Sequence, residues 1–253
     1  HNEGMTVIPQ ILTNQAEDFL SLTKELREYG YDTVNLNLGC PSGTVVAKRR
    51  GSGLLAWPNT LDAFLDEIFS SCDCRISIKT RLGTTDTDEW EDLLTVYDKY
   101  PLEELIIHPR VQKDFYNNTP DMEAFLYAVE NSRHTLCYNG DICSVEDYRT
   151  WRQQMEEKRE CAFMQESGHQ TDPEDTGSLV SHLMLGRGVL KNPGLIGEIT
   201  GHAPITKDQL HAFHDDVLKG YLDVMSGERN TLFRMKELWF YFAKYFTEPE
   251  KYV

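Results

Sequence analysis

Positive charge is scarce in this chain. Its 253 residues carry 25 lysines and arginines against 41 aspartates and glutamates, a net charge of −16. That balance excludes a basic surface all round and leaves only local clusters to meet phosphates. Long apolar runs are missing too, none approaching the ~20 residues that cross a bilayer. The 40% of hydrophobic and 11% of aromatic residues still suffice for a full core. The opening HNEGMTVIPQ has neither the charged nor the apolar region of a signal peptide, so a soluble cytoplasmic protein is expected. Zinc-type spacing is absent among Cys40, Cys72, Cys74, Cys137, Cys143 and Cys161, and reduced thiols are expected. No G-x-G-x-x-G run marks a dinucleotide site.

What is present is alternation. Apolar runs predict strands over 5–12, 32–38, 75–80, 103–107, 134–138 and 182–185. Between them, helical periodicity predicts helices over 15–29, 60–71, 88–99, 121–131 and 144–160. In the first helix Phe19, Leu22 and Leu26 share a face, and Asn14 is its expected cap. Such alternation implies a parallel sheet with helical crossovers. The stretch 161–181 reads as a long surface loop or insertion from its Gln, Gly, Ser, Asp and Pro content. After Pro204 the pattern turns all-helical, with helices expected over 207–225 and 229–246 and Gly227 between them. The aromatic run WFYFAKYF reads as core. Two parts follow: 1–203, an α/β part, and 204–253, a small helical part.

One cysteine stands apart. Asn37-Leu38-Gly39-Cys40-Pro41 breaks an apolar strand into a loop, where glycine lets the backbone turn and proline stops the strand. The thiol is thereby presented at a strand's C-terminal end, where parallel α/β barrels carry their chemistry.

The segment NLGCPSGTVVAKRRGSGLL resembles the active-site stretch of the tRNA-dihydrouridine synthases, flavoenzymes that reduce uridine in tRNA. VIPQILTN, SIKTRLG, LIIHPR with YNGDI, and LMLGRGVLKNP follow the order of that family. The resemblance runs from about Thr6 to Pro193. It implies a (β/α)8 TIM-type barrel whose first two βα units have no counterpart here, followed by a C-terminal helical domain that binds tRNA.

The resemblance also assigns roles. Gln10, Lys79 and His108 meet an FMN, Lys79 supplying the fixed cation that an anionic reduced flavin requires near N1. Asn139, Gly140, Asp141, Gly186 and Arg187 meet its phosphate. Asn37 and Arg110 contact the target base, although Pro109 and Val111 replace the Gly and Thr the family commonly has there. Cys40 is the general acid, since a free thiol of pKa near ~8.5 is mostly protonated at neutral pH. Hydride passes to C6 of uracil and the Cys40 proton to C5, with NADPH or NADH restoring the flavin. Contacts to tRNA are expected from Lys48, Arg49 and Arg50, and from Arg229, Arg234 and Lys236. Two other readings stay open: an FMN barrel reducing a small enone or pyrimidine, which would account for the acidic total, and a non-catalytic fragment that binds RNA or a partner, since without two barrel units flavin would not be held firmly.

Overall fold

Six parallel strands lie side by side in the order in which they occur along the chain. The computed structural model describes residues 4–166, 180 and 182–251. They are β1 (Gln10–Ile11), β2 (Thr33–Leu38), β3 (Arg75–Arg81), β4 (Leu105–His108), β5 (Leu136–Tyr138) and β6 (His182–Leu183). The register carries Asn37 opposite Lys79, Lys79 opposite Ile106, and Ile106 opposite Cys137. β2 and β4 are buried along almost their whole length, as strands covered on both faces must be.

The residues group into two compact units, His1–Gly140 with Asp172–Met184 and Asp141–Thr171 with Leu185–Val253. The first holds the whole sheet and helices α1 (Ala16–Glu28), α2 (Gly43–Val46), α3 (Pro58–Ser71), α4 (Glu89–Tyr97) and α5 (Met122–Asn131). Pro58 opens α3, where its missing N–H costs nothing. Phe19 of α1 meets Phe64 of α3 edge to face at 6.4 Å. The Trp90 indole N–H of α4 donates to the Ala124 carbonyl of α5 at 3.0 Å. Beneath them, the Tyr97 and Thr80 hydroxyls are 2.8 Å apart. Burying each such side chain contributes ~1.5–3 kcal/mol.

The second unit is helical: α6 (Val145–Glu166), α7 (Arg187–Lys191), α8 (Leu195–Ile199), α9 (Lys207–Val224) and α10 (Glu228–Phe242). Thr206 and Gln209 form a reciprocal capping box at the start of α9. Leu210, His214, Trp239, Phe242 and Phe246 line a cavity of about 520 Å³.

Several elements differ from their sequence reading. β1 keeps only two paired residues of the expected 5–12, because Pro9 brings no N–H to the ladder and contributes only its carbonyl, to Asn35 N. Asn14 does not cap α1. Its amide reaches Lys48 O at 3.2 Å instead, and Gln15 stands at the N-cap without a side-chain bond. Leu22 is exposed, the buried face of α1 being Ala16, Phe19 and Thr23. α6 runs to Glu166, six residues into the stretch read as loop, since Cys161 to Glu166 contains no helix breaker. Residues 167–179 and 181 of that stretch lie outside the described residues. Within the aromatic run of α10, Phe242 is core but Phe240 is 54% exposed.

Candidate functional site

The Cys40 loop is held from both sides. Asn37, next to last in β2, accepts the Gly39 and Cys40 N–H groups on its side-chain oxygen, at 3.1 and 2.6 Å. Its amide donates to Gln10 Oε1 at 2.7 Å, Gln10 donates to Asn35 at 2.7 Å, and Asn35 donates to Ser77 at 2.9 Å. Period-two alternation puts Asn35 and Asn37 on one face of β2, so a polar row crosses β1, β2 and β3. On the far side, Ser52 donates both its N–H and its hydroxyl to Cys40 O, each at 3.0 Å. Gly51 makes this closure possible. It stands at φ 56°, and a Cβ there would lie 2.6 Å from Cys40 O. Cys40 itself is half-buried and free.

Lys79 lies across the register from Asn37. It is half-buried, and no hydrogen bond or ion pair holds its ammonium among the described residues. Burial, and then the charge of Arg81, lower its pKa from 10.5 to about 8. A partly desolvated cation with no counter-ion favours an anionic ligand.

Arg81 shares that face two residues on, and the sequence reading missed it. Only 1% exposed, it donates to Gly39 O at 2.8 Å, Val111 O at 3.0 Å and Phe115 O at 2.6 Å. One guanidinium thus fastens the Cys40 loop to the loop after β4. Burial lowers its pKa, but a guanidinium remains charged. The signal was in the alternation, since K-x-R on a strand gives both cations one direction.

His108 and Arg110 are brought together at the end of β4. Arg110 Nη1 lies 3.0 Å from His108 Nε2. A guanidinium only donates, so within this contact Nε2 is the acceptor. Arg110 also binds Asn117 O at 2.9 Å and Asn118 O at 2.5 Å and is 2% exposed. Here it organises the loop over residues 112–118.

The residues read as phosphate contacts fall in both units. In the first, Asn139 donates to Met184 O at 2.8 Å, and a Cβ on Gly140 would collide with the Tyr138 ring. In the second, Arg187 pairs with Asp141 at 2.6 Å, and Gly188 packs so tightly that a Cβ would stand 2.3 Å from Ile142 O. A Cβ on Gly186, just before α7, would meet nothing within 4 Å.

The basic residues divide in the same way. In the first unit Lys48 is exposed, Arg49 lies over the Trp57 ring at 4.5 Å, and Arg50 turns inward to Asn14 and to Asp18 at 3.7 Å. In the second, Arg229 lies over Phe233 at 5.7 Å, Arg234 pairs with Glu237 at 2.8 Å, and Lys236 is exposed. Among the described residues no three metal-ligating side chains cluster, and no helix is long and apolar enough to cross a membrane.

Residues 1–174 match the family model of the dihydrouridine synthases (Dus). The chain belongs to the dihydrouridine synthase family. The dihydrouridine synthase match takes in β1 to β5 with Gln10, Asn37, Cys40, Lys79, His108 and Arg110, while Gly186 and Arg187 lie beyond it. A probable tRNA-dihydrouridine synthase of Staphylococcus epidermidis is 33% identical over 147 residues, which is 56% of this chain and 44% of that protein. One from Staphylococcus aureus is 30% identical over 142 residues, 54% of this chain and 43% of that protein. The probable tRNA-dihydrouridine synthase 2 of Bacillus subtilis is 32% identical over 108 residues, 43% and 33% respectively. The chain spans less than half the length of these relatives.

Proposed function

We propose that this chain is the catalytic part of a tRNA-dihydrouridine synthase, reducing the C5–C6 double bond of a uridine in tRNA. The observation that carries the proposal is the pairing of two features on neighbouring strands. A tightly held Cys40 loop ends β2, and Lys79, with no counter-ion among the described residues, stands at the same level of β3. The residues fit an FMN. Lys79 offers an ammonium to the anionic edge of the ring, and Gln10 and His108 lend hydrogen-bonding groups beside it. Asn139, Gly140, Asp141, Gly186 and Arg187 are the residues proposed for its phosphate, Arg187 as the cation that would face the phosphate oxygens.

When bound, the reduced flavin supplies a hydride for C6 of the uracil ring. Cys40 delivers its thiol proton to C5, and the thiolate left behind takes a proton from water. Asn37 fixes the direction of that thiol through its two backbone bonds and is proposed to orient the uracil edge. Arg110 is proposed near the base. NADPH or NADH is the proposed reductant and the cytoplasm the proposed location. The six-stranded sheet is read as part of a TIM-type barrel spanning 1–203, and 204–253 as a helical tRNA-binding part, with Lys48, Arg49, Arg50, Arg229, Arg234 and Lys236 as contacts.

The test is nucleoside mass spectrometry of tRNA from cells lacking the gene, complemented with the full-length gene or its Cys40→Ala variant. Loss of one dihydrouridine, restored by the first and not by the second although flavin is retained, supports the reading. An unchanged profile in a strain with no second synthase overturns it in favour of a flavin reductase for small enones or pyrimidines.

A further inference from the structure

Three non-glycine residues hold a positive φ among the described residues: Arg49 at 54°, Phe115 at 51° and Asn118 at 61°. All three stand in the two loops that leave the C-terminal ends of β2 and β4. Phe115 combines its φ with a ψ of −97°, a conformation L side chains rarely adopt and one that persists only where the surroundings impose it. They do so here. Arg81 holds Phe115 O at 2.6 Å, and Phe115 N donates to Gln112 O at 3.1 Å. Phe115 stays 49% exposed all the same.

The other loop repeats the pattern. Arg49 is bent to lie over Trp57, whose ring is 47% exposed. Lys48 precedes the strained arginine and Lys113 lies two residues before Phe115. Both are exposed and neither forms an ion pair among the described residues. The two loops are fastened together through Arg81, which bonds Gly39 O and Phe115 O. In a chain of net charge −16, cations set beside presented aromatic rings match a ligand with both anionic groups and flat apolar faces. An unpaired stretch of RNA has both.

We infer that Phe115 and the Arg49–Trp57 pair form a stacking rim beside Cys40 that takes unpaired bases of an RNA loop flanking the target uridine. The inference deepens the tRNA reading and rests on it. Duplex RNA does not fit, since its bases already stack on one another and its groove exposes no free base face.

The experiment is steady-state reduction of tRNA uridine by the full-length protein and its Phe115→Leu and Trp57→Leu variants, with flavin content and RNA-free flavin reduction measured alongside. Losing a stacked base raises KM for tRNA roughly 5- to 100-fold, with kcat little changed and flavin content as in the wild type. Phe115→Tyr, which keeps a ring at the strained position, restores the wild-type KM. A short unpaired oligonucleotide inhibits the wild type more strongly than either leucine variant. KM within twofold of wild type in both leucine variants overturns the rim, as does equal inhibition by a duplex of the same length. A wild-type protein that holds flavin yet reduces no tRNA uridine overturns the underlying reading instead. If Phe115→Leu loses flavin, the Trp57→Leu KM decides.

Discussion

Lys79 shows how a single buried charge weighs on the free protein. Its pKa near 8 in the folded chain stands below the ordinary 10.5. Between those two values the unfolded chain binds more protons than the folded one, so stability rises with pH across that window. Below about pH 8 the cost of the buried charge is present in full. Lys79→Met therefore stabilises the flavin-free protein by about 2 kcal/mol at pH 7, and the gain shrinks towards zero by about pH 10.5. Chemical denaturation at the two pH values checks this. The proposed flavin contact at Lys79 predicts an affinity that falls above pH 8 in the wild type and stays level in Lys79→Arg, whose cation does not titrate in that range. Residue types at this scale were legible from the sequence: glycine before Cys40, lysine within an apolar strand, histidine and arginine two apart. Their partners were not. Asn37 reads as a base-binding residue, and only the fold reveals that its oxygen is already engaged by Gly39 and Cys40 N–H. The direction of Arg81 was readable from K-x-R, but nothing in the sequence says which carbonyls will converge on it.

At the level of elements, the strand ends matter more than the strands. The loop after β3 is built on Glu89, whose carboxylate accepts the N–H groups of Thr84, Thr85 and Asp86 at 2.9, 2.7 and 2.9 Å. Burial alone would raise its pKa, yet these three donors and the Thr84 hydroxyl hold it down at about 2. A depressed carboxylate contributes stability that is present above its unfolded pKa and lost as pH falls through about 2. Glu89→Gln is expected to cost about 2 kcal/mol at pH 7 and little near pH 2. Urea midpoints at both pH values measure it. The central strands were readable because both faces are buried and their apolar runs are continuous: 32–38 became Thr33–Leu38 and 75–80 became Arg75–Arg81. Edge strands were not. β1 shrank to two residues at Pro9, and β6 pairs over only two, because an edge ladder depends on a single neighbour. The two short helices around the Cys40 loop and GRG, α2 and α7, also escaped notice, since four or five residues cannot display a helical period.

For the molecule as a whole, charge is the quantity with consequences. A net −16 repels a polyanion at long range, so the proposed tRNA binding draws on local cations such as Lys48, Arg49 and Lys113, which form no ion pair among the described residues. The expected slope of log affinity against log salt is correspondingly shallow, about −2 to −4 for three or four phosphates. A filter-binding series from 50 to 300 mM salt is the check, and a slope near −8 would point to a far larger basic surface. The fold class was legible at this scale from the alternation of strands and helices, but the grouping of α6, α7 and α8 with the C-terminal helices was not. That grouping depends on which helices pack together, and composition says nothing of it.

The order of the sheet has a consequence for how the protein is made. Because each strand from β2 to β6 pairs with the one before it in the chain, its template has already been synthesised when it leaves the ribosome. Asn35 and its partner Ser77 are 42 residues apart, which is roughly 2–8 s of synthesis at ~5–20 residues/s. For that interval the newest strand waits with an open edge. Each such pause is a window for a chaperone, and α6 has to wait longer still, for the C-terminal helices of its own unit.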